Sequence, residues 1–170
     1  MKKTLALAAA IGLTGTCLAS GTDDFLSGTG YKLFLAYGAF HSFQTSKEEG
    51  TRALDSLLTA GLLAEGLKRA TNVERPDHSD KRSFPSGHAT AAFAIATIEA
   101  DKHPHEAPFW YAGAALIGRS RVNLHRHHET DVLAGALLGY FVTTSELKSK
   151  GFLIQPTPTG ATVIGISVRF

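Results

Sequence analysis

Apolar positions in this chain recur at helical spacing, and polar clusters separate one apolar stretch from the next. Residues 25–43 carry Phe25, Tyr31, Phe34, Tyr37, Phe40 and Phe43. From Tyr31 onward the spacing is three, which collects the rings on one helical face, although Gly28, Gly30 and Gly38 weaken the helix. The favoured reading is a helix that packs these rings into a core. The alternative is a segment resting on a membrane, with its aromatics at headgroup depth. Ser46 and Glu49 have the spacing of a capping box. Leu54, Leu57, Leu58, Leu62, Leu63 and Leu67 follow at helical spacing and carry that helix to about Asn72. Lys68 and Arg69 fall in its last turn, where basic residues suit the helix dipole. Residues 72–84 read as a polar loop, and the small apolar residues 89–100 as a buried helix. A loop with His103 and His105 follows over 101–108. Residues 109–122 predict another apolar helix. Residues 130–147 predict the last one, with Val132, Leu133, Leu137, Leu138, Phe141 and Val142 as its core side.

The period then changes. Residues 152–155 and 161–170 read as two strands around Pro156-Thr157-Pro158-Thr159-Gly160, with Ile164, Ile166, Val168 and Phe170 on one face. One hairpin cannot close a membrane barrel, so it is read as a cap on the bundle. The expected fold is mainly α: a helical bundle over 25–148 with a small C-terminal β-hairpin over 152–170. There is no internal repeat or low-complexity tract. No apolar run reaches the roughly 18 to 20 residues that cross a bilayer, so the chain reads as a soluble bundle.

The first 19 residues stand apart. Lys2 and Lys3, an apolar run from Leu5 to Leu13 and small residues beyond it make a secretory signal, with cleavage expected after Ala19. Residues 20–170 are then one domain, and the location is periplasmic. Cleavage removes Lys2 and Lys3 and no acid, leaving a mature net charge of zero. Nucleic-acid partners are disfavoured on that ground, since such domains carry a basic excess. The single cysteine, Cys17, lies inside the signal, so disulfide and thiol chemistry are not expected in the mature chain. Thr14-Gly15-Thr16 before it is a poor lipoprotein attachment pattern.

Chemistry is concentrated in three clusters at predicted helix ends. The first is Lys68, six residues, then Arg75-Pro76. The second is Ser83-Phe84-Pro85-Ser86-Gly87-His88. The third is Ser120-Arg121, five residues, His127, three residues, Asp131. Pro85 disfavours helix before it, and Gly87 lets a ligand approach the main chain, so the second cluster reads as a turn opening into a helix N-terminus. Brought together, Lys68, Arg75 and Arg121 around Ser86, Gly87 and His88 would suit a tetrahedral oxyanion. His127 and Asp131 are four apart, so a helix would put them on one face, the carboxylate holding one imidazole nitrogen and freeing the other to attack. His88 would supply the acid. Each cluster alone has a blander reading as a solvated helix end, and His125, Arg126, His127 and His128 alone read as a metal-binding tract.

Together the three clusters resemble the three-part motif of the type 2 phosphatidic acid phosphatase / vanadium haloperoxidase superfamily, with every fixed position filled between Lys68 and Asp131. The loop between Pro76 and Pro85 is short for that family. The resemblance implies a helical bundle of the acid phosphatase/haloperoxidase type, with the site at one end. It implies that Lys68, Arg75, Ser86, Gly87 and Arg121 bind phosphate, that His127 attacks phosphorus to form a phosphohistidine, that Asp131 orients His127, and that His88 protonates the leaving oxygen. It implies no metal or other cofactor, with vanadate acting as a phosphate mimic. Expected substrates are phosphorylated small molecules or lipid phosphates and diphosphates in the bacterial envelope, and the aromatic segment leaves contact with a membrane surface open. The competing readings are a vanadate-dependent haloperoxidase and a non-catalytic envelope protein with a histidine-rich metal tract. Oligomeric state is not legible.

Overall fold

The computed structural model describes residues 20–149, 153–156 and 162–164. The expected signal and its cleavage point lie outside the described residues, as does the strand pattern beyond Ile164. Helix α1, Ser20–Phe25, leads through a π-helical turn, Leu26–Gly30, into α2, Tyr31–Thr45. Four longer helices follow: α3, Lys47–Thr71; α4, Gly87–Lys102; α5, Ala107–Asn123; and α6, Glu129–Ser149. Half of the capping box forms: Ser46 Oγ accepts from the Glu49 amide at 3.1 Å, while the Ser46 amide donates to the Ser42 carbonyl and the Glu49 carboxylate pairs with Lys102. Asn72, in the left-handed region with φ of 49°, ends α3 where the leucine pattern ends. Helix α4 runs through Lys102, into the stretch expected to be loop.

Helix α4 is the centre of the bundle, packed by α2, α3, α5 and α6. Almost every residue from Ala89 to Ala100 is buried. Its alanines let neighbours come close. A Cβ at Gly139 of α6 would lie 2.2 Å from the Thr90 carbonyl oxygen, and one at Gly135 would lie 2.5 Å from that of Ser86. Only glycine permits that approach of two backbones. Larger core side chains come from Phe93, Ile95, Ile98, Trp110, Tyr111 and Ile117.

The outer helices show which sides face inward, and α6 corrects the core side expected for it. Leu54, Leu58, Leu62, Leu63 and Leu67 of α3 point outward, with Leu62 64% exposed, and the buried side of the helix is Gly50, Arg52, Ala53, Asp55, Ser56, Ala60 and Ala64. On α6, Leu133, Leu137 and Phe141 are exposed, while Gly135, Ala136, Gly139, Val142, Thr143 and Glu146 face in. Close helix contacts need small residues, so the bulky ones are displaced to the outside. The aromatic segment divides likewise: Tyr31 and Phe34 pack against the core, whereas Phe25, Tyr37, Phe40 and Phe43 are exposed. No described helix is long and apolar enough to cross a membrane. Two short strands, β1 (Ile154–Pro156) and β2 (Thr162–Ile164), pair antiparallel, with Gln155 opposite Val163. Asp55 Oδ1 pins the first of them by accepting from the Leu153 and Ile154 amides at 2.9 and 3.2 Å.

Candidate active site

The three clusters meet at the N-terminal end of α4. Ser86 caps that helix, its Oγ facing the Ala89 amide at 3.5 Å. Its own amide donates to the Asp131 carbonyl at 2.9 Å, which joins the start of α4 to the start of α6. Lys68, in the last turn of α3, reaches across to the incoming loop and donates from Nζ to the carbonyls of Arg82, at 2.9 Å, and Pro85. Gly87 turns an open face to this lysine: a Cβ there would meet only Lys68 Cε, at 3.9 Å. Half-buried Gly87 and His88 mark the side where the pocket meets solvent.

Arg75 is held from two sides. Its Nε donates to Asp80 Oδ1 at 2.7 Å and its Nη1 to the Arg126 carbonyl at 2.9 Å; Nη1 also lies 3.4 Å from His127 Nε2. The loop itself is tied down by Arg126 Nη1 on Asp77 Oδ2 at 3.0 Å and by the Asp77 amide on the His125 carbonyl at 3.1 Å. Arg121, from the end of α5, donates through Nη1 to Ser27 Oγ, while its Nε is buried without a hydrogen-bond partner.

His127 is 3% exposed and Asp131 1%. Their closest approach, Nδ1 to Oδ2, is 3.8 Å, too long for a hydrogen bond. Ser83 stands between them. Its Oγ donates to Asp131 Oδ2 at 2.5 Å and lies 3.5 Å from His127 Nδ1. Asp131 Oδ2 also accepts from the His128 amide at 2.8 Å. The direct carboxylate–imidazole contact expected from the four-residue spacing is therefore a bridged one, because Oδ2 is already committed to Ser83 and to the main chain.

Burial and surrounding cations set the ionisation. Burial first, then Lys68, Arg75 and Arg121, lower His127 to about 3, against a smaller upward push from a hydrogen bond to the Ser83 backbone. Burial, then Arg121, lowers His88 to about 4. Both rings are neutral near pH 7. Lys68 is brought down to about 8 by burial and then by Arg75, and Arg121 to about 10 by burial and then by Arg75. The site is a buried cluster of cations around two neutral imidazoles. An anion placed there would relieve the mutual repulsion of Lys68, Arg75 and Arg121.

All eight residues singled out in the sequence take part in this constellation. The neighbouring histidines do not. His125 is exposed with φ of 53°, and His128 Nε2 donates to the Glu74 carbonyl at 3.1 Å, so the apparent histidine tract splays apart. Three further residues escaped the sequence reading. Ser83 was within the quoted stretch, and its only signal was its place before Phe84-Pro85. Tyr31 lays its ring on His88, with centroids 4.1 Å apart, and Ser27 contacts both Arg121 and His88. Nothing in their spacing tied those two to the motif.

Known proteins share the fold and part of the sequence. The fold is similar to that of LpxE of Aquifex aeolicus, with a TM-score of 0.61, 24% identity, and coverage of 75% of this chain and 93% of that one. A lipid A 1-phosphatase of Porphyromonas gingivalis is 36% identical over 94 residues, covering 53% of this chain and 21% of that protein. One of Rhizobium johnstonii is 32% identical over 123 residues, covering 62% of this chain and 50% of that protein. The chain thus spans half or less of the length of these two relatives. Residues 49–152, which hold all three clusters, match the PAP2 superfamily, and the chain belongs to that superfamily.

Proposed function

We propose that this protein is an envelope phosphatase that hydrolyses lipid phosphates through a phosphohistidine on His127. The observation that carries the reading is a buried His127 whose Nε2 is turned toward Arg75 while Nδ1 is held on the Ser83 and Asp131 side. A proton on Nδ1 leaves the Nε2 lone pair free to attack. Lys68, Arg75 and Arg121 hold the three non-bridging oxygens together with the α4 N-terminus, and the Ser86 hydroxyl proton is available to donate. These cations stabilise the charge that spreads over those oxygens in the transition state. No step needs a metal ion.

In the first step the Nε2–P bond forms and the P–O bond to the leaving group breaks. The leaving oxygen takes its proton from His88. Burial and three cations hold His88 neutral before substrate binds, and a bound phosphate dianion offsets those cations and lets the ring take up a proton. In the second step water attacks phosphorus, its proton passes to His88, and the P–N bond breaks to free phosphate and His127.

Lipid substrates are supported by two lines. Two curated relatives are named lipid A 1-phosphatases and a third is a probable lipid phosphate phosphatase 4 of Arabidopsis thaliana. The outward leucines of α3, the rings of α2 and Phe109, 79% exposed, suit contact with a membrane surface. The deciding experiment is phosphate release from p-nitrophenyl phosphate, phosphatidate, undecaprenyl diphosphate and lipid A, with and without detergent. Lipid turnover should exceed that of the soluble ester. His127→Ala and His88→Ala should each cost about a thousandfold or more, and His125→Ala should retain most activity. An active His127→Ala protein would remove the mechanism; preference for the soluble ester would remove the substrate class.

A further inference from the structure

At the other end of α4 lies a second polar cluster that the phosphatase reaction does not use. We infer that His41, Glu99 and His103 form a binding site for one divalent transition-metal ion of the zinc type. Glu99 lies in the last turns of α4, His103 ends that helix, and His41 comes across from α2. One ligand atom from each lies within 4.8 Å of the others. His41 Nδ1 is 2.7 Å, and His103 Nε2 4.0 Å, from the same oxygen, Glu99 Oε2. Tetrahedral zinc, with ligand bonds of about 2.0–2.2 Å, spaces its ligand atoms roughly 3.4 Å apart, between these two separations.

A simple ion pair does not account for the arrangement. Glu99 is 1% exposed, and His41 alone would be enough to pair with it. The second imidazole adds nothing to that pair, and its Nε2 is buried with no hydrogen-bond partner. An orphaned nitrogen aimed at a carboxylate oxygen calls for a bound species between them. The other carboxylate oxygen, Oε1, accepts the Ser42 hydroxyl at 2.6 Å. That outer hydrogen bond fixes the carboxylate and leaves Oε2 to face both rings, as second-layer partners do at metal sites. Two imidazoles and one carboxylate favour zinc, copper or nickel over magnesium or calcium, and leave a fourth position for water. The ion would tie α2 to α4. Because α2 also carries Tyr31 against His88, it would fix the helix that walls the phosphate pocket.

The single tryptophan gives a readout independent of activity, since the Trp110 ring centroid is 6.3 Å from that of His41. The whole chain is titrated with Cu²⁺ while Trp110 fluorescence is followed, and with Zn²⁺ as competitor and in thermal melts. One equivalent of Cu²⁺ should quench the emission, prior loading with excess Zn²⁺ should shift that quench to higher Cu²⁺, and one equivalent of Zn²⁺ should raise the melting temperature. His103→Ala and His41→Gln, checked for fold by circular dichroism, should each weaken binding by about tenfold or more. His125→Ala should bind as the parent does. Absence of both quench and thermal shift in the parent overturns the site, whatever the variants do. So does parental affinity in His103→Ala, or loss of binding in His125→Ala.

Discussion

The two ends of α4 use the same side chain for opposite purposes. At the N-terminal end, free amides and the positive end of the helix dipole meet Lys68, Arg75 and Arg121, so cations outnumber anions. The imidazoles there are pushed down to about 4 and about 3 and stand as neutral bases beside a place for an anion. At the C-terminal end the dipole is negative, and two imidazoles face a buried carboxylate, which suits a cation. Histidine takes its character from what surrounds it. A 16-residue helix keeps the two environments apart, and each is matched in sign to its own helix end.

The sharpest way to break the comparison is to change how charge is presented at the N-terminal end without removing it. Arg121→Lys keeps a cation but replaces a planar fork with a point charge. The lysine cannot both donate to Ser27 and present a second nitrogen where the unpartnered Nε now lies. kcat/KM should fall roughly tenfold to a hundredfold, the range for losing one well-placed donor, while Cu²⁺ quenching of Trp110 stays unchanged. Parental kcat/KM in this variant would mean that only the charge matters. A change in quenching would mean that the two ends are not independent.

Gly139→Ala tests the packing that holds the pocket together. The new Cβ would lie 2.2 Å from the Thr90 carbonyl oxygen and 2.9 Å from the Ala94 amide nitrogen, both backbone atoms that cannot swing away. Helix α6 must move off α4, and with it Asp131, which receives the Ser86 amide. Unfolding in urea should show a loss of about 1–3 kcal/mol. Gly61→Ala on α3, with nothing within 4 Å of the new atom, should instead gain about 0.5–1 kcal/mol. Equal effects from the two substitutions would mean that the close approach of α4 and α6 carries no energy.

The same contacts explain what could be read in advance. The cluster was legible because a phosphate site of the proposed kind demands fixed chemical types at fixed separations, and Lys68, Arg75, Ser86, His88, Arg121, His127 and Asp131 stand at the separations of the superfamily motif. Helix boundaries were legible where capping chemistry marks them, as at Ser46 and Asn72. The inward faces of α3 and α6 were not. A repeat of leucines says that Leu54, Leu58 and Leu62 share a side of a helix, but not which way that side points. On α6, Gly135 and Gly139 take the inside because the α4 backbone leaves no room for a side chain there. The cluster at His41, Glu99 and His103 was invisible for a related reason: His41 is 58 residues from Glu99, and no local spacing connects them.

Glu146 offers the smallest effect and the finest comparison, since it is a buried carboxylate without the imidazoles that flank Glu99. Its Oε2 accepts from Ser56 Oγ at 3.3 Å, and its Oε1 is buried with no hydrogen-bond partner. Burial pushes it up to about 7, against a partial offset from Arg52. The native state therefore holds a proton that the unfolded chain releases near pH 4.5. Its contribution to stability is fully present below that pH and is lost as pH rises toward 7. His88 and His127 act in the opposite sense, because their native values lie below the ordinary one: they favour folding increasingly as pH rises from about 4 to 6.5. Those contributions are common to the parent and to Glu146→Gln, and cancel when the two are compared. The amide keeps the shape of the protonated acid and cannot ionise. The melting temperature of the variant relative to the parent should therefore climb between pH 5 and pH 8. A difference that stays level across that range would show that Glu146 is already ionised at pH 5 despite its burial.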